Sequence, residues 1–515
     1  MQRTRKNVWE LGKDWADDIL WYARGVAELK KLAIADRGSW NFYAAMHGID
    51  PQLWAQLGVI TTTTPMPPGS DVKRFWQQCQ HGSWYFLPWH RGYLIAFEAT
   101  VQAAITKAGG PATWALPYWN YFKPHQFKLP TAFASPDWPD GKGTNPLFVK
   151  ERYGPNNDGK VFVVLSDVNL KALTDPDFTG TSSGSRGFGG IDTGFEHGGS
   201  MHGRLEQQPH DQVHGLVGGG DQTTQLPGLM SDPDTAGLDP IFWLHHANID
   251  RLWEVWRRNP ATNANPADKK WLKGPASLGQ RAFSMPMPGG KTWDYTPADM
   301  ADLSKLDYTY DDLAPAVKAP HAPRLTHLGM PAPMAAAVEG AGVPTGKNVE
   351  LVGASRAAVV VSGTGTKTSV HLDTAARRKV AASLAATPTM TRESVAAGGG
   401  PDRVFLNLEN VRGTSDATVL RLYLDAAGAP DPANRAEKLA ASASLFGLRK
   451  ASRTDAGHSG DGLSLSFDVT DAIDALHLAH TLDVESLDVA IVPSNPLPDR
   501  TQITIGRVSL YRQGR

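Results

Sequence analysis

A chain of 515 residues, 41% hydrophobic and 20% charged, has room for two or three domains and the make-up of a globular protein. Its 51 Lys and Arg stand against 52 Asp and Glu, a formal net charge of -1, which predicts no nucleic-acid partner and no hold on an anionic membrane. The one cysteine, Cys79, excludes an intrachain disulfide and favours a reducing compartment; the N-terminus has basic residues but no apolar leader, so the expectation is a soluble protein, cytoplasmic or exported without a recognisable signal peptide.

Trp15, Ile19, Tyr22, Val26 and Leu29 recur at helical spacing and predict a first amphipathic helix that ends near the DRGSW turn. His47 follows in FYAAMHG, and then a Thr/Pro-rich loop, TTTTPMPPG, at 61–69. Pro88 can start a helix in which His90, Leu94, Phe97 and Val101 share a face. His81 lies nine residues earlier, or 2.5 helical turns, so on one straight helix it would face the opposite way; a loop is predicted to deliver it. Residues 102–195 read as long surface loops with short strands such as VFVVL at 161–165. His210 and His214, at i and i+4, share one helix face. Asp239 caps and Pro240 starts the next helix, on which Phe242, His246, Ile249, Trp253 and Trp256 face one way. All 16 tryptophans lie at or before Trp293. A Pro/Ala-rich linker follows, and then β-like runs such as VFLNLENV at 404–411 and ITIGRVSLYR at 503–512, with helical insertions around 370–387 and 470–482.

Ten of the 16 histidines fall between His47 and His246. Several sit on apolar helix faces, no cysteine cluster accompanies them, and they are too many for one tetrahedral zinc. Six imidazoles without a carboxylate fit two copper ions with three ligands each, which leaves each ion an open position. Two such ions facing one another could hold O2 between them and pass it two electrons.

The segment DPIFWLHHANIDRLW resembles the copper B signature of tyrosinases, catechol oxidases and hemocyanins, Asp-Pro-x-Phe-aromatic-x-x-His-x-x-x-Asp, on Asp239, Pro240, Phe242, Trp243, His246 and Asp250. The resemblance selects His246 over His245 as a ligand. It pairs His246 with His210 and His214 at copper B, and matches His47, His81 and His90, with WHRGYL, to copper A. It implies a mainly α catalytic domain, a four-helix-bundle dicopper core with long loops, at 1–313. A linker at 314–345 would lead to an all-β, sandwich-like C-terminal domain at 346–515. In the family such a domain often covers the copper pocket and keeps the enzyme latent. Tyr308-Thr309-Tyr310 resembles the motif that closes the catalytic domain.

The implied cofactors are two copper ions, and the implied partners are molecular oxygen and phenolic or catecholic small molecules. The implied activity is hydroxylation of monophenols and oxidation of o-diphenols to o-quinones. A diphenolase-only catechol oxidase and a hemocyanin-like oxygen binder are the alternatives. Cys79, two residues before His81, stands where the plant and fungal branch joins a cysteine to the second copper A histidine by a thioether. Glu206 resembles the glutamate that holds a water near copper B. Asp211 replaces the usual asparagine after the first copper B histidine, and would orient the water as acceptor or act as base itself. Gly215 adds no bulk at the pocket mouth, and Pro233 stands where plant catechol oxidases carry a blocking phenylalanine, so open access is expected. Asp250, one turn after His246, is placed for a contact behind that ligand or a helix salt bridge with arginine. His197 and His202 are expected at the surface or behind the ligands, and His245 packed beside the site.

Overall fold

The computed structural model describes residues 2–258, 263–314, 324–340, 346, 348–398, 400–426, 438–455, 458–482, 484–498 and 501–514. Much of the linker expected at 314–345 lies outside these residues; its described part carries two short helices, Arg324–His327 and Ala332–Gly340.

Five helices frame the first core: α1 (Asp17–Lys30), α2 (Trp40–His47), α3 (Phe86–Lys107), α4 (Gln212–Gly218) and α5 (Pro240–Arg258). α1 is the helix that the Trp15–Leu29 spacing predicts, and Ile19, Tyr22, Val26 and Leu29 are its buried face. α3 and α5 are buried around most of their circumference, as helices running through a core must be. They meet where Phe97 stacks flat on Trp243, ring centroids 3.4 Å apart. Asp239 accepts from the Ile241 amide at 2.9 Å and so caps the start of α5. Tyr22 Oη and Trp40 Nε1 donate to the carbonyls of Pro240 and Leu238, tying α1 and α2 to that same start.

Asp250 does not back His246. Its carboxylate takes Arg91 of α3 at 2.5 Å and the hydroxyls of Tyr308 and Tyr310 at 2.6 Å each. Arg5 reaches it at 3.4 Å, beside the parallel pairing of Arg3–Arg5 with Tyr308–Tyr310. It therefore ties the two ends of the helical region to its centre.

VFVVL at 161–165 does not form the strand expected of it. Residue 162 makes only an isolated bridge with Lys128, because Pro124 and Pro130 bracket the facing segment and a proline cannot extend a ladder.

The C-terminal region is all β, with short helices, as expected. Its strands are β1 (Asn348–Ala354), β2 (Val359–Val361), β3 (Thr366–Leu372), β4 (Arg403–Arg412), β5 (Val419–Ala426), β6 (Leu439–Ser444), β7 (Leu463–Asp468), β8 (Ser486–Pro493) and β9 (Ile503–Gly514). They form one sheet in the order β6-β5-β8-β3-β1-β9-β4-β7, with β2 also on β9. The end strands β6 and β7 approach one another, so the sheet curls toward a barrel instead of splitting into two facing sheets. The helices Thr374–Ala385 and Thr470–Leu478 fall within the insertions expected near 370–387 and 470–482. A separate apolar core fills the domain, yet Val419 and Phe446 belong to the core of the helical region.

Candidate metal centre

The six histidines reach one buried cluster from six places. His47 is the last residue of α2, His90 lies in the first turns of α3, His214 in α4 and His246 in α5. His210 sits in a wide turn, Glu206–Asp211, that runs straight into α4. His81 comes from the loop before α3, as its spacing from His90 requires. Each is at most 3% exposed.

On four rings the backbone or a carboxylate holds Nδ1. His47 Nδ1 lies 2.8 Å from the Pro233 carbonyl, His90 Nδ1 2.8 Å from Phe86, His214 Nδ1 2.7 Å from Met230, and His210 Nδ1 2.9 Å from Asp211 Oδ1. A proton fixed on Nδ1 leaves the Nε2 lone pair bare. The Nε2 atoms of His47, His81 and His90 are buried without any hydrogen-bond partner. Burial first, and then mutual repulsion with neighbouring imidazoles, pushes the pKa values of His81, His210 and His246 well below the usual histidine range. Burial takes His47 down to about 4. Neutral imidazoles with bare nitrogens aimed at one cavity are the donor set a metal needs.

His246 Nε2 lies 3.3 Å from Nε2 of His210 and 3.3 Å from Nε2 of His214. Three nitrogens about 2.0 Å from one ion, in a near-tetrahedral arrangement, stand about 3.3 Å apart. The donor atoms of His210, His214 and His245 also fall within 4.8 Å of one another, as do those of His47, His90 and His246. His245 likewise has Nδ1 beside a partner, Tyr121 Oη at 3.4 Å, and a buried Nε2 without one, while its ring packs alongside His210. The three-way Nε2 convergence favours His246.

Behind these rings lies a polar layer. Asp211 meets His210 Nδ1 with one oxygen and His202 Nδ1, at 2.6 Å, with the other, so it is placed to orient His210. Burial works against the His202 imidazolium, but Asp211 and Glu206 outweigh it and hold His202 up at about 9. His202 thus supplies the countercharge of Asp211, a role that Gly-rich flanks hid in the sequence. Glu206 accepts from the Gly82 amide at 2.9 Å and the Gly203 amide at 3.2 Å. Gly82 has φ +66° and its Cα lies against Gly199, so only glycine offers that amide there. Burial is the main cause that pushes Glu206 up to about 8. The carboxyl therefore spans from the His81 loop to the His210 turn with a proton affinity near neutrality.

Cys79 is buried, its Sγ 3.3 Å from His81 Nδ1 and 3.2 Å from His197 Nδ1, and burial keeps the thiol protonated. His197 is half-buried beside it. Copper-loaded protein is expected to weigh two hydrogens less than its sequence, through a bond from Cys79 Sγ to the His81 ring, with the two electrons passed to copper and O2. Intact-mass spectrometry checks this, and a Cys79 that alkylates freely in the denatured, copper-loaded protein rules it out.

The pocket mouth is covered by the C-terminal domain. Phe446 is 1% exposed and stacks on His214, centroids 4.2 Å apart at 26°, with its edge toward His81 and His210. A Cβ on Gly215 would lie 2.8 Å from Ser444 Oγ and 3.2 Å from Val419. Gly447, at φ +84°, lets the chain turn past Pro233. Gly215 and Pro233 thus face the second domain. Three basic side chains hold the turn down. Arg449 pairs with Asp232 at 2.5 Å and Asp50 at 2.7 Å, Lys450 with Asp234 at 2.7 Å, and Arg453 with Asp50 at 2.5 Å. Sequence reasoning missed this segment, since Phe446 reads there as one more core aromatic.

The family model described as the common central domain of tyrosinase matches residues 37–259, and one described as a domain of unknown function matches 348–513. The tyrosinase HcTyr1 of Hahella sp. (strain CCB-MM4) is 32% identical over 528 residues, covering 99% of both chains. The latent form of the chloroplastic polyphenol oxidase of Prunus armeniaca is 32% identical over 199 residues, 37% of this chain and 32% of that protein. Among solved structures, latent apple tyrosinase aligns over 99% of this chain and 97% of its own with a TM-score of 0.56 at 19% identity, a likeness of fold.

Proposed function

This chain belongs to the tyrosinase and polyphenol oxidase family, an oxidoreductase with two copper ions, and from that premise we propose that it both hydroxylates monophenols and oxidises o-diphenols. His47, His81 and His90 would hold one copper, and His210, His214 and His246 the other. When bound, the copper pair supplies O2 activation and the electron transfer. Per O2, two o-diphenols give two quinones and two waters; a monophenol with one O2 gives one quinone and one water. No helix among the described residues is long and apolar enough to cross a membrane.

The observation that carries the monophenolase half is Glu206. Glu206 is a buried carboxyl held by the amide of Gly82, directly after His81, and as the carboxylate it can take the phenol proton when the substrate reaches the coppers. Asp211 acts as a positioning residue for His210. Gly215 and Pro233 leave the pocket wide once the Phe446 ring is withdrawn, and the C-terminal domain from 346 onward is the cover that keeps the enzyme latent. Tyramine is expected to be turned over with a lag phase, against dopamine without one. Glu206→Gln is expected to lower tyramine turnover by roughly 10²-fold, the scale of one general base, while dopamine turnover falls much less. Equal losses on both substrates, or no tyramine turnover by the parent once opened, leave the diphenolase-only reading.

A further inference from the structure

The carboxylates at the pocket mouth have one charged oxygen each that the helical region itself does not use. Asp50 Oδ1 caps the helix Pro51–Gln56 through the amides of Gln52 and Leu53, and Asp232 Oδ1 accepts from the Asp234 amide. Their Oδ2 atoms, and Asp234 Oδ1, meet basic side chains of the second domain, of which Lys450 also reaches His197 Nε2 at 2.7 Å. Asp232 and Asp234 flank Pro233, whose carbonyl holds the His47 ring, so this acidic rim is fixed to a copper ligand. Gly48 makes the approach possible, since a Cβ there would lie 2.6 Å from Asp234 Oδ1 and 2.7 Å from the Pro233 carbonyl oxygen.

The covering turn presents two chemical ends to this site. Phe446 lays an aromatic ring over His214, and Lys450 brings an ammonium group to Asp234. We propose that the turn occupies the pocket as its substrate does, and that Asp234, with Asp232 and Asp50, selects phenols that carry an ammonium group, that is, arylalkylamines, over neutral or carboxylate-bearing phenols. The inference rests on the oxidase reading above. It assigns the rim a role in specificity for which a purely structural clamp has no need. Exchange of Lys450 for a substrate ammonium keeps Asp234 paired; a substrate carboxylate there meets like charge.

The test uses full-length, copper-loaded protein carrying Phe446→Ala and Lys450→Ala, with and without Asp234→Asn. The readout is the ratio of kcat/KM for dopamine to that for 3,4-dihydroxyphenylpropionate, in which any general loss of activity cancels. The ratio is expected to exceed one with Asp234 intact and to drop roughly 5- to 30-fold in Asp234→Asn, as an attraction and a repulsion of about 0.5–1 kcal/mol each are lost. It should also fall as salt is raised, be retained in Asp234→Glu, and be lower where Lys450 is kept. A ratio that ignores Asp234→Asn and salt overturns the proposal, while continued oxidation of neutral 4-methylcatechol leaves the oxidase reading standing. If Asp234→Asn fails to fold, the salt and Lys450 comparisons decide alone. Absence of 4-methylcatechol oxidation from every variant overturns the oxidase reading and this proposal with it.

Discussion

Phe446→Ala is expected to raise o-diphenol turnover by the full-length, copper-loaded protein by roughly 30- to 150-fold. A fully buried phenylalanine side chain contributes about 2–3 kcal/mol to the closed arrangement, and each 1.4 kcal/mol is about tenfold in the open fraction. Its ring lies on His214 with His81 and His210 at its edge, where a phenol would have to lie to reach both metals. The four ion pairs of Arg449, Lys450 and Arg453 remain in this variant, so the domain stays docked while the ring-sized space beside the histidines opens. Turnover of 4-methylcatechol at equal copper content measures the effect. A variant no faster than the parent, with unchanged circular dichroism, shows that the ring does not gate access.

In the proposed latency, ring and clamp contribute differently. The ring fills apolar space and excludes substrate. The clamp pairs partly buried charges, and its worth lies mainly in what removal of one partner leaves behind. Asp232 and Asp416 are 1% and 2% exposed on their side chains, and Arg449 lies between them. Withdrawal of Arg449 leaves the buried Asp232 carboxylate without its cation, a loss of about 3–5 kcal/mol for a broken buried pair. In the proposed latent state the clamp and the ring both hold the domain and only the ring fills the substrate's space, which is why a substitution of the ring alone separates the two.

The helical region was legible because its signals are local. A capping aspartate, a proline at the first helical position and a 3.6-residue apolar period place α5, and the 2.5-turn offset of His81 from His90 places His81 in a loop. The family resemblance then selected six residues that the fold brings to one cavity. The role of Asp211 was not legible, because its partner His202 is nine residues away and two hydrogen bonds decide the matter. The curling of the C-terminal sheet depends on long-range strand order, which alternation along single strands does not encode. Phe446 and its basic neighbours were invisible for the same reason. Arg449 and Asp50 are 399 residues apart, and nothing near either announces the other.

His246→Ala is expected to lower copper content from two ions per chain to one and to abolish catechol oxidation, whereas His245→Ala keeps both ions. The two residues are adjacent on α5, both fully buried, both with depressed pKa values, so burial and charge do not separate them. Geometry does. His246 Nε2 lies 3.3 Å from Nε2 of both His210 and His214, and its removal leaves that copper two of its three nitrogens. His245 packs against the same rings but its Nε2 comes within hydrogen-bond distance of none of them, so its loss acts on ligand orientation, an effect of roughly 10- to 100-fold at most on metal affinity or rate. Copper per chain by atomic absorption, measured with 4-methylcatechol turnover on each purified variant, distinguishes them. A His245→Ala protein that loses one copper while His246→Ala keeps two would transfer the ligand assignment to His245 and reverse which face of α5 reads the metal.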